Sequence, residues 1–153
     1  MFWFRVDNRL VHGQVVETWL PHLGSTMLAV VNDGLCNDPV RQEIMRLAIP
    51  KKVDTRFVCL EGGLCLYHEM IRLKAPTMFL FSTCQDACFL VEQGARMDTL
   101  NISNLHFGPD KKQICSYLSV SDDDVRCLGY FQTMGIKLDF RCVPNDPPEN
   151  FSW

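Results

Sequence analysis

The sequence predicts an α/β fold: three layers, α/β/α, around a mainly parallel open sheet of about six to seven strands. Three observations carry this. Short apolar runs alternate with helix-period patterns along most of the chain, the pattern of parallel strands joined by right-handed crossovers. The early runs are apolar almost throughout, as in strands covered on both faces. The 153 residues, 47% apolar and 22% charged, suffice for a sizeable core and read as one domain over 1–153.

Each element follows from its local pattern. Residues 2–6 read as a buried strand. Residues 13–23 read as a helix with Val15, Val16, Trp19, Leu20 and Leu23 on one face. Residues 27–31 form a second strand, ended by Asn32-Asp33-Gly34. Asp38-Pro39 opens the next helix, with aspartate as N-cap and proline at the first helical position. Val40, Ile44, Leu47 and Ala48 give its apolar face, and Pro50 follows its end. A third strand spans 56–60 and a third helix 64–73. A fourth strand, 78–81, runs through Ser82-Thr83 into a helix that stops near Gly94. A short fifth strand covers 99–102, and a longer strand of mixed polarity covers 113–120. Ser121, with Asp124 three residues on, resembles a capping box for a helix running to Gly135. Residues 136–142 read as the last strand, and the Pro-rich tail from Pro144 as a surface segment. No internal repeat, low-complexity segment or linker interrupts the pattern.

Composition excludes several classes. The net charge is −3, from 15 basic and 18 acidic residues, and no basic run stands out, which argues against nucleic acid as a partner. No stretch approaches the roughly 18 apolar residues of a membrane span. Arg5, Asp7 and Arg9 interrupt the N-terminus too early for a secretory signal, so a cytoplasmic protein is expected. The eight cysteines form no Cys-x-x-Cys and no paired Cys/His zinc spacing. They are either a disulfide framework or reduced cysteines used as small core hydrophobes. The absence of a signal and the size of the core favour the second, with Cys84 and Cys88 on one helix face.

Ligands of open parallel sheets bind beyond the carboxyl ends of the strands. Those ends carry Asp7 to Gly13, Asn32-Asp33-Gly34, Ser82-Thr83 and Asn101-Ile102-Ser103-Asn104. His12 precedes Gly13, where the backbone can turn freely. It also adjoins a helix N-terminus, whose free N–H groups and dipole favour an anion. Arg9 adds forked donors suited to phosphate, and Asp7 is placed to hold one imidazole nitrogen or to orient Arg9. This set fits a histidine nucleophile that becomes phosphorylated. It also fits a loop histidine bonded to backbone beside an ordinary ion pair. No Walker A spacing and no Gly-x-Gly-x-x-Gly is present. His22 and His68 read as structural or surface residues, and His106 lies near the fifth-strand loop, within possible approach of the site. The run from Asp122 to Asp124 reads as helix capping rather than metal binding.

"RVDNRLVHGQV", residues 5–15, resembles the Arg-Ile-Asp-Asp-Arg-Leu-Ile-His-Gly-Gln-Val signature of IIB components of the mannose/fructose/sorbose branch of the bacterial sugar phosphotransferase system. The likeness continues through "AVVNDGLCND", "FLFSTCQDACFLVEQGA", "TLNISNLHFGPDKKQICSYLSVSDDDV" and "MGIKLDFRCVPND". The resemblance implies that His12 is phosphorylated by a IIA partner and passes the group to a sugar carried by membrane IIC and IID partners. It implies roles for Arg9 and Asp7 in the active site, and for Gly13 and Gln14 at the start of the following helix. Asp33, Ser82 and Thr83 are the expected phosphate-binding or loop-support residues. No metal and no organic cofactor is implied, because phosphohistidine is the carrier. The protein is expected to sit peripherally at the membrane permease.

Three features depart from the family pattern, one of them the short connection "RLKAPTM" between the third helix and the fourth strand. Asn101-Ile102-Ser103-Asn104 stands where Asn-Val-Gly-Gly is common, which removes two easy routes to positive φ. Ser82-Thr83 is followed by Cys84 where proline is frequent. Against the transport reading stands that of a regulatory phosphoprotein that moves no sugar, and behind it a plain α/β binding module. Hydrophobes around Trp3 or Trp153 would support a homodimer, and would serve equally as core.

Overall fold

The computed structural model describes residues 1–153. Six strands form one parallel sheet in the order β3-β2-β4-β1-β5-β8. They are β1 (Phe2–Asp7), β2 (Met27–Val31), β3 (Asp54–Val58), β4 (Thr77–Phe81), β5 (Thr99–Asn104) and β8 (Lys137–Asp139). A separate antiparallel pair, β6 (Lys112–Cys115) and β7 (Leu118–Val120), follows β5. Helices cover both faces, giving the three-layer α/β/α architecture.

Alternation along the central strands divides the interior in two. On one face Phe4, Val6, Ala29, Val31, Phe79, Phe81, Leu100 and Ile102 pack under α4 (Leu60–Leu73), α5 (Cys84–Glu92) and α6 (Asp122–Thr133). On the other, Leu28, Val30, Met78 and Leu80 meet Val15, Val16, Trp19 and Leu20. The latter four lie on a π-helical segment, Gln14–Trp19, that runs into α1 (Leu20–Leu23). Both faces of β2 and β4 are therefore buried, which accounts for their unbroken apolar sequences. Gly63 lets α4 approach β2: a Cβ there would stand 3.1 Å from Val31 Cγ1 and 3.3 Å from Leu90 Cδ1.

Several expectations need correction. The segment 32–36, read as a loop, holds a short helix, α2 (Asp33–Cys36), capped by the Asn32 side chain on the Leu35 N–H. In α3 (Pro39–Ala48) the stripe of Val40, Ile44 and Leu47 faces outward, at 69%, 62% and 88% exposure. The helix turns Met45 inward instead, along with Gln42, whose amide donates to the Leu35 and Cys36 carbonyls at 2.8 and 3.1 Å. The Gln42 amide thus ties α3 to the carboxyl end of α2, where it joins the Asp38 N–H on the Leu35 carbonyl. The helix α4 starts four residues before the expected 64. Residues 113–120 form a hairpin rather than one strand, folding back at Ser116-Tyr117. The last strand is shorter than 136–142 because Asp139 turns back on Arg141, binding its N–H, Nε and Nη2. Trp3 and Trp153 are half-buried against the two cores. No helix is long and apolar enough to cross a membrane.

The expectation of eight reduced cysteines fails at one pair. Cys36, at the end of α2, and Cys59, just after β3, form a disulfide with Cα atoms 5.2 Å apart. Their loops already meet, because Asp33 Oδ1 accepts the Leu60 N–H at 2.8 Å. No spacing signal marks this pair, since 23 positions separate the two residues. Cys84 and Cys88 are buried in α5 as core residues. Closing a loop of this length constrains the unfolded chain. Replacing both Cys36 and Cys59 by serine is expected to lower the unfolding free energy by about 3 kcal/mol. Urea titration would show this as a lower midpoint with an equal or steeper slope, since the unlinked denatured chain exposes more surface, and an unchanged midpoint would count against it.

Candidate functional site

The site begins inside β1. In a strand, side chains alternate, so Arg5 and Asp7 share the face opposite Phe4 and Val6. The parallel register sets Arg5 beside Asn101 and Val6 beside Ile102, with a shift before Asp7 pairs Asn104. Asn101 and Ser103 therefore point to the same face as Arg5 and Asp7. All four are buried, and the Asp7 carboxylate is fully so.

Arg5 binds the Asp7 carboxylate through Nη2 at 2.9 Å, the Asn101 Oδ1 and Ser103 Oγ acceptors, and the Cys142 carbonyl at 3.4 Å. Its guanidinium also lies 5.1 Å from the Trp19 ring centre. Asn101 in turn donates to the carbonyls of Asp139 and Arg141, and Trp19 Nε1 donates to the Cys142 carbonyl at 2.8 Å. Burial pulls the Arg5 guanidinium down from its ordinary value, and the Asp7 charge opposes this.

Beyond β1 the chain turns sharply. Leu10 takes a left-handed conformation at φ 56°, an unfavourable one for leucine. Its N–H bonds the Asp7 carbonyl at 2.9 Å and its side chain is buried, which together hold the turn. Gly13, expected to be the flexible point, has an ordinary helical conformation at φ −50° and ψ −47°. Leu10 thus returns His12 to the end of its own strand.

There Asp7 collects the loop. Its Oδ1 accepts the Arg9 backbone N–H at 3.2 Å and Arg9 Nε at 3.0 Å. Its Oδ2 accepts Arg9 Nη2 at 3.1 Å, Ser103 Oγ at 3.0 Å and His12 Nε2 at 2.8 Å. Arg9 Nη2 also donates to Gln14 Oε1 at 2.9 Å. Burial alone would raise the Asp7 carboxyl. Hydrogen bonds from His12 and Arg9, with the charge of Arg5, outweigh it and hold the group well below the usual carboxylate range.

An ionised carboxylate only accepts hydrogen bonds, so His12 Nε2 carries the proton facing Asp7. The Nδ1 lone pair is left free. The ring is 17% exposed, enough for a reactant to reach it. Val16 is the first residue bonded within the following helix, to the His12 carbonyl at 3.1 Å, so the N–H groups ahead of it lie at an open helix end. The half-exposed Arg9 adds a second source of positive potential to the same loop.

The other sequence candidates are placed differently. Ser82 supports the loop from behind: its carbonyl accepts Asn8 Nδ2 at 3.2 Å and its Oγ accepts Asn32 Nδ2 at 2.8 Å. Thr83 caps α5 through the Asp86 N–H, and Asp33 caps α4. Neither of these two bonds the His12 loop. His22, His68 and His106 are exposed, and none of them bonds any site residue. Residues 101–104 belong to β5, and none has positive φ, so losing the two glycines required no left-handed turn.

Arg5, Asn101 and Ser103 are the site residues that sequence reasoning left without a role. The available signal was an arginine at an inward position of a strand otherwise buried on both sides, which must have buried partners.

Comparison with known proteins bears on this arrangement. Residues 1–152 match the family model described as PTS system sorbose subfamily IIB component. The chain is 33% identical over 146 residues to the sorbose-specific EIIB component of Klebsiella pneumoniae, covering 95% of this chain and 89% of that protein. It is 36% identical over 149 residues to the N-acetylgalactosamine-specific phosphotransferase enzyme IIB component 1 of Escherichia coli K12, covering 95% and 92%. The crystal structure of the IIBSor domain of the sorbose permease from Klebsiella pneumoniae superposes with a TM-score of 0.90 at 32% identity, covering 98% of this chain and 93% of that one. The chain belongs to the sorbose subfamily of IIB components, phosphotransferases of the sugar phosphotransferase system.

Proposed function

We propose that His12 accepts a phosphoryl group on Nδ1 from a phosphohistidine of a IIA component and passes it to a sugar presented by membrane IIC and IID components. The hydrogen bond that His12 Nε2 donates to Asp7 Oδ2 carries this reading, because it favours the tautomer whose Nδ1 lone pair is free to attack. In the first step the phosphorus–nitrogen bond on IIA breaks as one to Nδ1 forms. In the second a sugar hydroxyl oxygen bonds phosphorus, the Nδ1 bond breaks, and the hydroxyl proton leaves.

Such in-line displacements need positioning and charge screening more than covalent assistance. Arg9 and the helix end supply the screening, and Asp7 the positioning. Asp7 also stabilises the positive charge that the ring gains while the phosphoryl group sits on it. No metal or cofactor enters the scheme. Cys88 offers a poor alternative nucleophile, since burial pushes its thiol up to about 12. Burial likewise raises Cys84, Cys127 and Cys142. In this reading the protein works at the cytoplasmic face, docked to its membrane partners.

His12→Ala is expected to abolish labelling by a phosphorylated IIA component, with the label on wild-type protein mapping to His12 by mass spectrometry. Normal labelling of the variant would end the proposal. Adding membranes with the IIC and IID components and the cognate sugar should discharge the labelled protein. Retention of the label with every sugar would favour the regulatory reading instead.

Asp7→Asn keeps the shape of the group but can accept the Nε2 proton only through a neutral oxygen, and it frees the tautomer. Single-turnover phosphorylation is expected to slow by about 10²- to 10⁴-fold. A loss below twofold would contradict the role given to Asp7.

The depressed Asp7 value also fixes a pH dependence. Its contribution to stability is fully present above the unfolded carboxyl value of about 4 and is lost as pH falls towards the lower folded value. Urea midpoints of wild type and Asp7→Asn should therefore converge as pH falls below about 4. A gap that stays constant from pH 7 to pH 2 would show that Asp7 ionisation contributes nothing.

A further inference from the structure

We infer that Ser103 is a positioning residue for His12, its hydroxyl setting how strongly Asp7 holds the imidazole. This rests on the reading of His12 as the phosphoryl acceptor. Ser103 is fully buried within β5, at the irregularity where the pairing with β1 passes from Ile102 to Asn104, so a bulged strand rather than a loop places the hydroxyl. Its neighbours dictate its polarity. Arg5 Nη2 can only donate, so Ser103 Oγ accepts from it. The hydroxyl proton is then committed to Asp7 Oδ2, 3.0 Å away.

That same oxygen receives His12 Nε2 at 2.8 Å, together with Arg5 Nη2 and Arg9 Nη2. Donors sharing one oxygen compete for its charge. Each bond to Oδ2 weakens the others, so Ser103 moderates the pull of Asp7 on the Nε2 proton. A stronger pull would push electron density into the ring. Nδ1 would become a better nucleophile and a poorer leaving group. The moderated pull suits a residue that must both take a phosphoryl group and release it. The resemblance noted above places a glycine commonly at this point, and glycine offers no such proton.

Two measurements on the full chain test this, with Ser103→Ala as the main variant. The hydrogen-bonded His12 Nε2–H proton, read by NMR on the unphosphorylated protein, should move downfield and exchange more slowly with water. The equilibrium of the phosphoryl group between a IIA component and this protein should shift towards this protein by about two- to tenfold. Ser103→Cys, close in size but a weak donor, should fall between wild type and Ser103→Ala, and it carries the test if the alanine variant does not fold. A folded variant with an unmoved Nε2–H resonance and an unmoved equilibrium overturns the inference. The NMR reading does not depend on phosphorylation, so it separates failure of the Ser103 role from failure of the His12 assignment.

Discussion

The buried pairing of Arg5 with Asp7 is the constraint on which the rest of the structure turns. Two charges taken out of water gain little from each other unless the remaining donors and acceptors are also satisfied. Here Asn101, Ser103 and the Cys142 carbonyl supply the missing partners, and the Trp19 ring covers the guanidinium. Among the polar atoms of this cluster, Arg5 Nε alone is left without a partner. Meeting those demands ties β1 to β5 and the first helix to the segment after β8. The reactive loop is the exposed end of this arrangement, with Asp7 serving the interior through Arg5 and the surface through His12 and Arg9.

The loop is held from a second side. Ser82, at the end of β4, accepts Asn8 through its carbonyl and Asn32 through its hydroxyl. Asn32 caps α2, whose far end carries the disulfide to Cys59 and the carbonyls held by Gln42. The carboxyl ends of four neighbouring strands are thus joined by polar contacts rather than by core packing. Rigidity of that kind favours a site that keeps one geometry through both phosphoryl transfers.

Much of this was legible in the sequence. Runs that are apolar almost throughout in β1, β2 and β4 pointed to the parallel sheet, and its carboxyl ends led to His12, Arg9 and Asp7. What stayed hidden was tertiary in origin. The outward stripe of α3 has helical periodicity, and the face that turns inward instead carries Met45 and the Gln42 amide, bonded to the α2 carbonyls. Cys36 and Cys59 are joined across two loops by the adjacency of β2 and β3, which spacing does not encode. Leu10 carries the left-handed turn although the sequence offers Gly13 nearby, because burial of the leucine side chain outweighs its backbone preference. Ser103 looked like the loss of a useful glycine. The irregularity in the pairing of β5 with β1 made it instead a hydroxyl beside Asp7.

Arg5 has a consequence for the timing of folding. Asp7 is its one local partner, two positions away, and its other acceptors lie 96, 98 and 137 positions further along the chain. Of the strands of this sheet β1 is made first, and until Cys142 has followed, the guanidinium has only the Asp7 carboxylate to meet it inside a core. A growing chain that packed β1 early would bury an ion pair whose remaining donors had no acceptors, which is costly. Early settling of β1 is thereby disfavoured, and closure of the central strands gains its full support only from a nearly complete chain.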